Sequence, residues 1–206
     1  MMKENHNLYE KFSKLYEVFF KPFFIRGIIK SIKTLEKQNP KNVLEVGCGP
    51  GYSFEFYPKN LSVTAYDVSK KMVEEAKLKA AEVSLEKINV LEVSEYQEYL
   101  STKEFDSVVS FSVLSVVPEP QIFLNDLKKY CAQGGYLYLT VHNRRRGFKK
   151  YFDVVFDYPC RLLFGFTLLR HVEDFDWTGF EIIETKSANK MLFFSLNDLV
   201  VIKKNS

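Results

Sequence analysis

Residues 43–53 read Val43-Leu44-Glu45-Val46-Gly47-Cys48-Gly49-Pro50-Gly51-Tyr52-Ser53, and this stretch decides the fold. A short apolar run ends at Val46 and three alternating glycines follow at once. The run has the length of a buried strand. The glycines let the backbone turn tightly and come close to a ligand. The spacing is G-x-G-x-G, which differs from the G-x-G-x-x-G of dinucleotide sites and lacks the Lys-Ser/Thr of a phosphate loop. Glu45, two residues before Gly47, would repel a pyrophosphate and suits a ligand with a cationic end.

Working outward, Leu61 to Tyr66 reads as a second strand that ends at Asp67. Ser69 is placed to cap a helix from Lys70 to Val83. Ile88 to Val93 is a third strand and Phe105 to Phe111 a fourth. Pro118 to Tyr130 is a helix, and Gly134-Gly135 turns the chain into a fifth strand from Tyr136 to His142. Strands alternating with helices predict a parallel sheet covered on both faces. Phe180 to Lys186 and Leu192 to Lys203 are joined by a short connection and predict an antiparallel pair. The fold class is therefore α/β, a Rossmann-like doubly wound sheet of seven strands, mostly parallel, with an antiparallel C-terminal pair. N-terminal amphipathic helices precede it. Leu8, Phe12, Leu15, Tyr16 and Phe19 have helical spacing, and a second helix runs from Pro22 to about Gln38 on Ile25, Ile28, Ile29, Ile32 and Leu35.

Asp67 lies 20 residues after Gly47. Nucleoside-binding α/β folds place an acid there to meet ribose hydroxyls. Adenosine at one end and an ammonium or sulfonium at the other satisfy Asp67 and Glu45 together, and S-adenosylmethionine is such a molecule. Residues 42–143 resemble the class I S-adenosylmethionine-dependent methyltransferases through E-V-G-C-G-P-G, YDVS with Met72 following, FDSVVSFSVLS and GGYLYLTV. The resemblance implies that Glu45, Gly47, Cys48, Gly49 and Gly51 cradle the methionine end. It implies that Asp67 holds the ribose and that Val68 and Met72 flank the adenine. Ser110, Phe111 and Ser112 would face the methionine and the transferring methyl. The family often has an acid just after the third strand, near the adenine amine; here Ser94 stands there with Glu95 next.

The flanks YEKFSKLYEVFFKPFFIRG, VLSVVPEP and FTLLRHVEDFD through VVIKK resemble the bacterial phospholipid N-methyltransferases, which methylate phosphatidylethanolamine. That resemblance implies methyl transfer from S-adenosylmethionine, with S-adenosylhomocysteine as product, to the amine of phosphatidylethanolamine or its methylated forms at a membrane surface. A soluble methyltransferase of a quinone, thiol or amine is the alternative, and a cofactor- or membrane-binding module without turnover is a third reading. Tyr9, Tyr16 and His142 are the candidate helpers for deprotonating the amine.

The charge pattern fits a lipid partner. Residues 1–40 carry a net charge of +4, residues 41–141 −4, residues 142–171 +5 and residues 172–206 −2, within a total of +3. Two basic stretches thus flank an acidic middle, and both lie beside aromatics in a chain with 19 Phe and 12 Tyr. Asn143, Arg144, Arg145, Arg146 and Lys149 open the second stretch, ahead of the aromatic-rich Tyr151 to Phe166. They are expected to meet a lipid head group or a peripheral anionic membrane surface. The acidic middle and the lack of an RNA-binding appendage argue against nucleic acid.

One domain over 1–206 is expected: a helical lid or membrane-facing segment at 1–40, a cofactor core at 41–143, and a basic aromatic insert with C-terminal strands at 144–206. Three scattered cysteines exclude a disulfide framework or a zinc site. The run from Tyr151 to Leu169 is interrupted by Asp153, Asp157, Pro159 and Arg161, which makes it a poor spanning helix. With no signal peptide visible, the expected location is cytoplasmic and peripherally membrane-associated.

Overall fold

The computed structural model describes residues 24–83, 87–142, 150–191 and 194–205. Helix α1 spans residues 24–36. The rest follows in the order β1 (Asn42–Val46), β2 (Ser62–Tyr66), α2 (Lys70–Glu82), β3 (Lys87–Val90), α3 (Tyr96–Leu100), β4 (Phe105–Phe111), α4 (Pro120–Tyr130), β5 (Cys131–Val141), α5 (Lys150–Phe164), β6 (Phe180–Met191) and β7 (Phe194–Lys204). The sheet has seven strands in the order β3-β2-β1-β4-β5-β7-β6. The first five pair in parallel, while β7 runs antiparallel to both β5 and β6. The expected α/β sheet is the observed one, and the first N-terminal helix, read over residues 8–20, lies outside the described residues.

The order of strands explains their composition. β1 and β4 lie in the middle, covered on both faces, and so read as nearly continuous apolar runs. Two cores result. Ile28, Ile32 and Leu35 of α1 join Ala76 of α2 against Val43, Val63, Val109 and Tyr138. On the opposite face Leu124 and Leu127 of α4 join Leu44, Val108, Leu137 and Leu139. The start of the sheet is pinned by a reciprocal pair: Asp106 N–H donates to Asn42 Oδ1 at 2.7 Å, and Asn42 N–H donates to Asp106 Oδ2 at 3.2 Å.

Several elements differ from the sequence expectation: β3 ends at Val90 rather than Val93, and β6 runs on past Lys186 to Met191. β5 begins at Cys131, because the glycine pair forms a bulge within the strand rather than a turn before it. Gly134 has φ +72, and a Cβ on Gly135 would sit 2.8 Å from Ala132 O and 2.9 Å from Asp106 O. α3 is a short extra turn of helix. α5 makes a 15-residue helix of the aromatic run, with Pro159 inside it and Gly165 (φ +72) ending it in the left-handed conformation that favours glycine.

Candidate active site

β1 and β2 end side by side, and their loops build the floor of a cavity of about 470 Å³. That size is usual for a cofactor or small-ligand site. The glycine loop is tied down from β2: the N–H groups of Gly47 and Cys48 both donate to Tyr66 O, at 2.9 and 3.1 Å. Asp67 receives the N–H of Gly49 at 3.0 Å on one oxygen and that of Ser69 at 2.9 Å on the other. Each carboxylate oxygen can accept two hydrogen bonds, so Asp67 holds the loop and keeps capacity for a ligand's hydroxyls. Gly47 has φ +74, and a Cβ there would overlap Val113 Cγ2. Gly49 has φ +53 and open space where its Cβ would be, which leaves the backbone exposed to whatever fills the cavity.

Glu45 is the unusual group. It is 2% exposed and lines the cavity. Ser53 Oγ donates to it at 2.7 Å and Tyr57 OH at 2.9 Å. Burial pushes its carboxyl up to about 7, against the partial offset of the two hydroxyls. Its negative charge in turn helps hold the Cys48 thiol and the Tyr57 phenol well above their ordinary ranges, after burial, which acts most strongly on both. Cys48 is therefore a neutral thiol filling the loop, not a nucleophile.

The far wall comes from the end of β4. Phe111, Ser112, Val113 and Val116 line the cavity. Ser112 is held at φ +66, in the left-handed region that non-glycine residues rarely occupy. Its N–H donates to Thr140 O at 2.9 Å, and its hydroxyl lies 3.4 Å from Thr140 Oγ1 and receives Asn197 Nδ2 at 3.3 Å. Asn197 is buried, and its own N–H donates to Asn189 Oδ1 at 3.0 Å. The antiparallel hairpin of β6 and β7 thus reaches across the sheet to fix the turn after β4. Phe24, Ile25 and Ile28 of α1 close the cavity from above.

Of the residues predicted from sequence, Glu45, Gly47, Cys48, Gly49, Asp67, Met72, Phe111 and Ser112 come together around this cavity. Gly51 (φ +80) serves the loop's shape, since a Cβ would press on the Phe54 ring. Ser110 points elsewhere, donating to Val46 O at 2.9 Å and so joining the ends of β4 and β1. Val68, Ser94 and Glu95 are exposed and are not among the lining residues. His142 is buried, stacked on Phe166 at 4.5 Å between ring centres and edge-on to Phe24 at 6.4 Å. It sits one ring behind the cavity wall. Tyr9, Tyr16, Asn143, Arg144, Arg145, Arg146 and Lys149 lie outside the described residues. Sequence reading missed Phe24, Tyr52, Val113, Val116 and Asn197 as site residues, and placed Ile25 and Ile28 only on the apolar stripe of the second N-terminal helix. The helical stripe gave a signal for those two; the sequence carries none for Asn197.

Among the described residues, no group of three or more His, Cys, Asp or Glu side chains is arranged to hold a metal, and no helix is long and apolar enough to cross a membrane.

Comparison with known proteins agrees with this geometry. Residues 44–137 match a family described as a methyltransferase domain. The chain is 35% identical over 104 residues to a phosphatidylethanolamine N-methyltransferase of Cereibacter sphaeroides, covering 50% of this chain and 51% of that one. It is 29% identical over 136 residues to a ubiquinone biosynthesis O-methyltransferase of Vibrio atlanticus, covering 64% and 56%. The chain spans about half the length of the curated relatives it matches. Among solved structures, magnesium protoporphyrin IX methyltransferase from Synechocystis with bound S-adenosylhomocysteine superposes with a TM-score of 0.64 at 18% identity, over 88% of this chain and 83% of that one. Over residues 44–137 the sequence is thus similar to a methyltransferase domain, and the fold is similar to that of a solved methyltransferase with bound S-adenosylhomocysteine.

Proposed function

We propose that this protein transfers a methyl group from S-adenosylmethionine to the amine of phosphatidylethanolamine or its methylated forms at a membrane surface. The observation that carries the methyl-transfer half is one cavity that joins a buried carboxyl raised by its burial, a glycine loop and a second carboxylate 20 residues after Gly47. The residues present fit the cofactor. Glu45 offers charge to the ammonium and sulfonium end, Asp67 offers acceptors to the ribose, and Met72 with Val113 and Val116 offers apolar contact to the purine. The bound cofactor supplies an activated methyl on sulfur.

The chain's own residues do the rest by positioning and desolvation. The acceptor amine enters as an ammonium and must lose a proton before it can react. The aromatic surroundings, Phe24, Tyr52 and Phe111, disfavour the charged form. The neutral nitrogen would then be held in line with the activated methyl that the bound cofactor would supply, with the thioether as the leaving group. Ser112 holds the turn facing this end. His142 acts as a positioning residue that braces Phe24. Tyr9 and Tyr16 are the candidate proton acceptors in the N-terminal segment. Arg144, Arg145, Arg146 and Lys149 would meet the lipid phosphate, helped by Asn143.

The acceptor reading rests on the similarity to the Cereibacter enzyme and on the paired basic and aromatic segments. Similarity of comparable extent to a quinone O-methyltransferase supports a second reading, a small phenolic acceptor. Incubation with methyl-labelled cofactor and phosphatidylethanolamine vesicles distinguishes them. Label in the lipid fraction is the expected result. Label transfer to a soluble phenol with none to lipid would replace the first reading by the second.

A further inference from the structure

Helix α5 has its polarity reversed. Tyr151, Phe152, Val154, Val155, Phe156, Tyr158 and Leu162 are all exposed, Val155 at 67% and Tyr158 at 75%. The residues turned inward at i and i+4 are acids, Asp153 at 3% and Asp157 at 5%. A helix on the surface of a water-soluble protein does the opposite.

The rotation of this helix is fixed by its partners. Asp157 receives Thr167 Oγ1 at 2.6 Å and Leu168 N–H at 2.8 Å, and Arg161 Nη1 lies 3.8 Å from its other oxygen. The segment that follows is tied to the core: Thr167 N–H donates to Ser115 O at 3.0 Å, Arg170 Nη2 donates to Val117 O, and Phe166 is buried on His142. Turning the apolar side inward would break the bonds to Asp157 and leave Leu168 N–H without its acceptor.

We infer that the outward face of α5 seats the enzyme on a bilayer of anionic phospholipid; this rests on the lipid reading above and names the surface that serves it. Three observations select a bilayer. The helix is about 22 Å long, suited to lying in an interface. Its C-terminal end lies close to the cavity, because Phe166 just past that end stacks on His142, which in turn meets Phe24 of the cavity lining. In sequence the helix is preceded by Arg144, Arg145, Arg146 and Lys149 and opens on Lys150; Arg161 is exposed on it, and Arg26 is exposed on α1 two residues from Phe24. A second copy of the chain would set these cations against their like. A surface of lipid phosphates neutralises them.

The test uses the full chain and vesicles of phosphatidylethanolamine with phosphatidylglycerol. Wild type and the double variant Val155→Glu/Tyr158→Glu are compared by co-flotation, with circular dichroism and the thermal midpoint reporting the fold. Both positions are largely exposed, so the fold is expected to hold while partition onto vesicles drops at least tenfold. A separate Tyr158→Trp variant in a Trp177→Phe background should show blue-shifted emission on adding vesicles. Equal flotation of wild type and the folded double variant overturns the inference, as does emission from the introduced tryptophan that vesicles do not shift. Self-association of the wild type that the double variant abolishes, without vesicle binding, assigns the face to a second copy and also overturns it. Vesicle binding by wild type without lipid methylation would instead refute the substrate reading and leave the surface standing.

Discussion

Glu45 makes the proposed cofactor site sensitive to pH, and its burial sets the size and sign of the effect. Its ordinary value is 4.5 and burial raises it to about 7 in the free protein. The folded state then holds this proton more tightly than the unfolded chain does. Stability contributed by the protonated carboxyl is complete below about pH 4.5 and is lost as pH rises towards 7. The full loss is about 3 kcal/mol. A cationic ligand beside Glu45 favours the ionised form, so occupancy draws the carboxyl back down and releases the proton. Below pH 7 that deprotonation costs affinity, and at pH 5.5 binding should be roughly thirtyfold weaker than its alkaline limit.

Two measurements follow from this reasoning. Isothermal titration of S-adenosylhomocysteine between pH 5.5 and 7 avoids the ordinary titration range of the ligand's own α-amino and carboxyl groups. Wild type should bind more tightly as pH rises, with proton release detected as a buffer-dependent heat. Glu45→Gln should bind weakly with little dependence on pH, and in urea it should gain on wild type as pH rises from 5 to 8. Tyr57→Phe removes a hydrogen bond that lowers the carboxyl, so its binding midpoint should move above that of wild type. A wild-type affinity flat across this window, or Glu45→Gln binding as tightly as wild type, would refute the assignment.

Four further outcomes are expected. Gly47→Ala drives a Cβ into Val113 from a backbone at φ +74, and should cost about 2 kcal/mol or more in urea unfolding while abolishing cofactor binding. Asp67→Ala leaves the Gly49 and Ser69 N–H groups unmatched and removes the proposed ribose acceptors, so the dissociation constant should rise about tenfold to a hundredfold, measured by titration. Asn197→Ala releases Ser112 from β7, and kcat should fall severalfold while cofactor affinity changes less. His142→Phe keeps the ring stack, and should leave the shape of the pH–rate profile unchanged if the residue only positions Phe24.

The core of the site was legible because its chemistry is local. The strand, glycine loop and following acid lie within 25 residues, and each has a backbone reason to be there: Gly47 and Gly51 need positive φ, and Asp67 must reach the N–H of Gly49. Boundaries of β4 and the Ser69 cap, which accepts from Met72 N–H at 3.5 Å, were equally readable. What escaped depends on distant pairing. Asn197 meets Ser112 across 85 residues, and nothing in its neighbourhood marks it. The glycine pair at 134–135 reads as a turn, and only the register shift between Phe105 and Ser107 on β4 makes it a bulge.

Helix α5 was hidden for a different reason, and that reason bears on function. Periodicity locates the stripe Asp153, Asp157 and Cys160 on one side of a helix, but it cannot say which side faces the protein. The usual assumption puts the apolar side in, and under that assumption the acids look like interruptions. Here Thr167, Leu168 and Arg161 settle the matter by satisfying Asp157 from within, and Ser115 and Val117 hold the segment that carries Thr167. Exposing seven large apolar side chains forgoes the roughly 1.5–3 kcal/mol that burying each would bring. A fold that does this while turning two aspartates inward is arranged for an environment other than water on that side, and the ring cluster of Phe24, His142 and Phe166 ties the segment just past the helix to the wall of the proposed cofactor cavity.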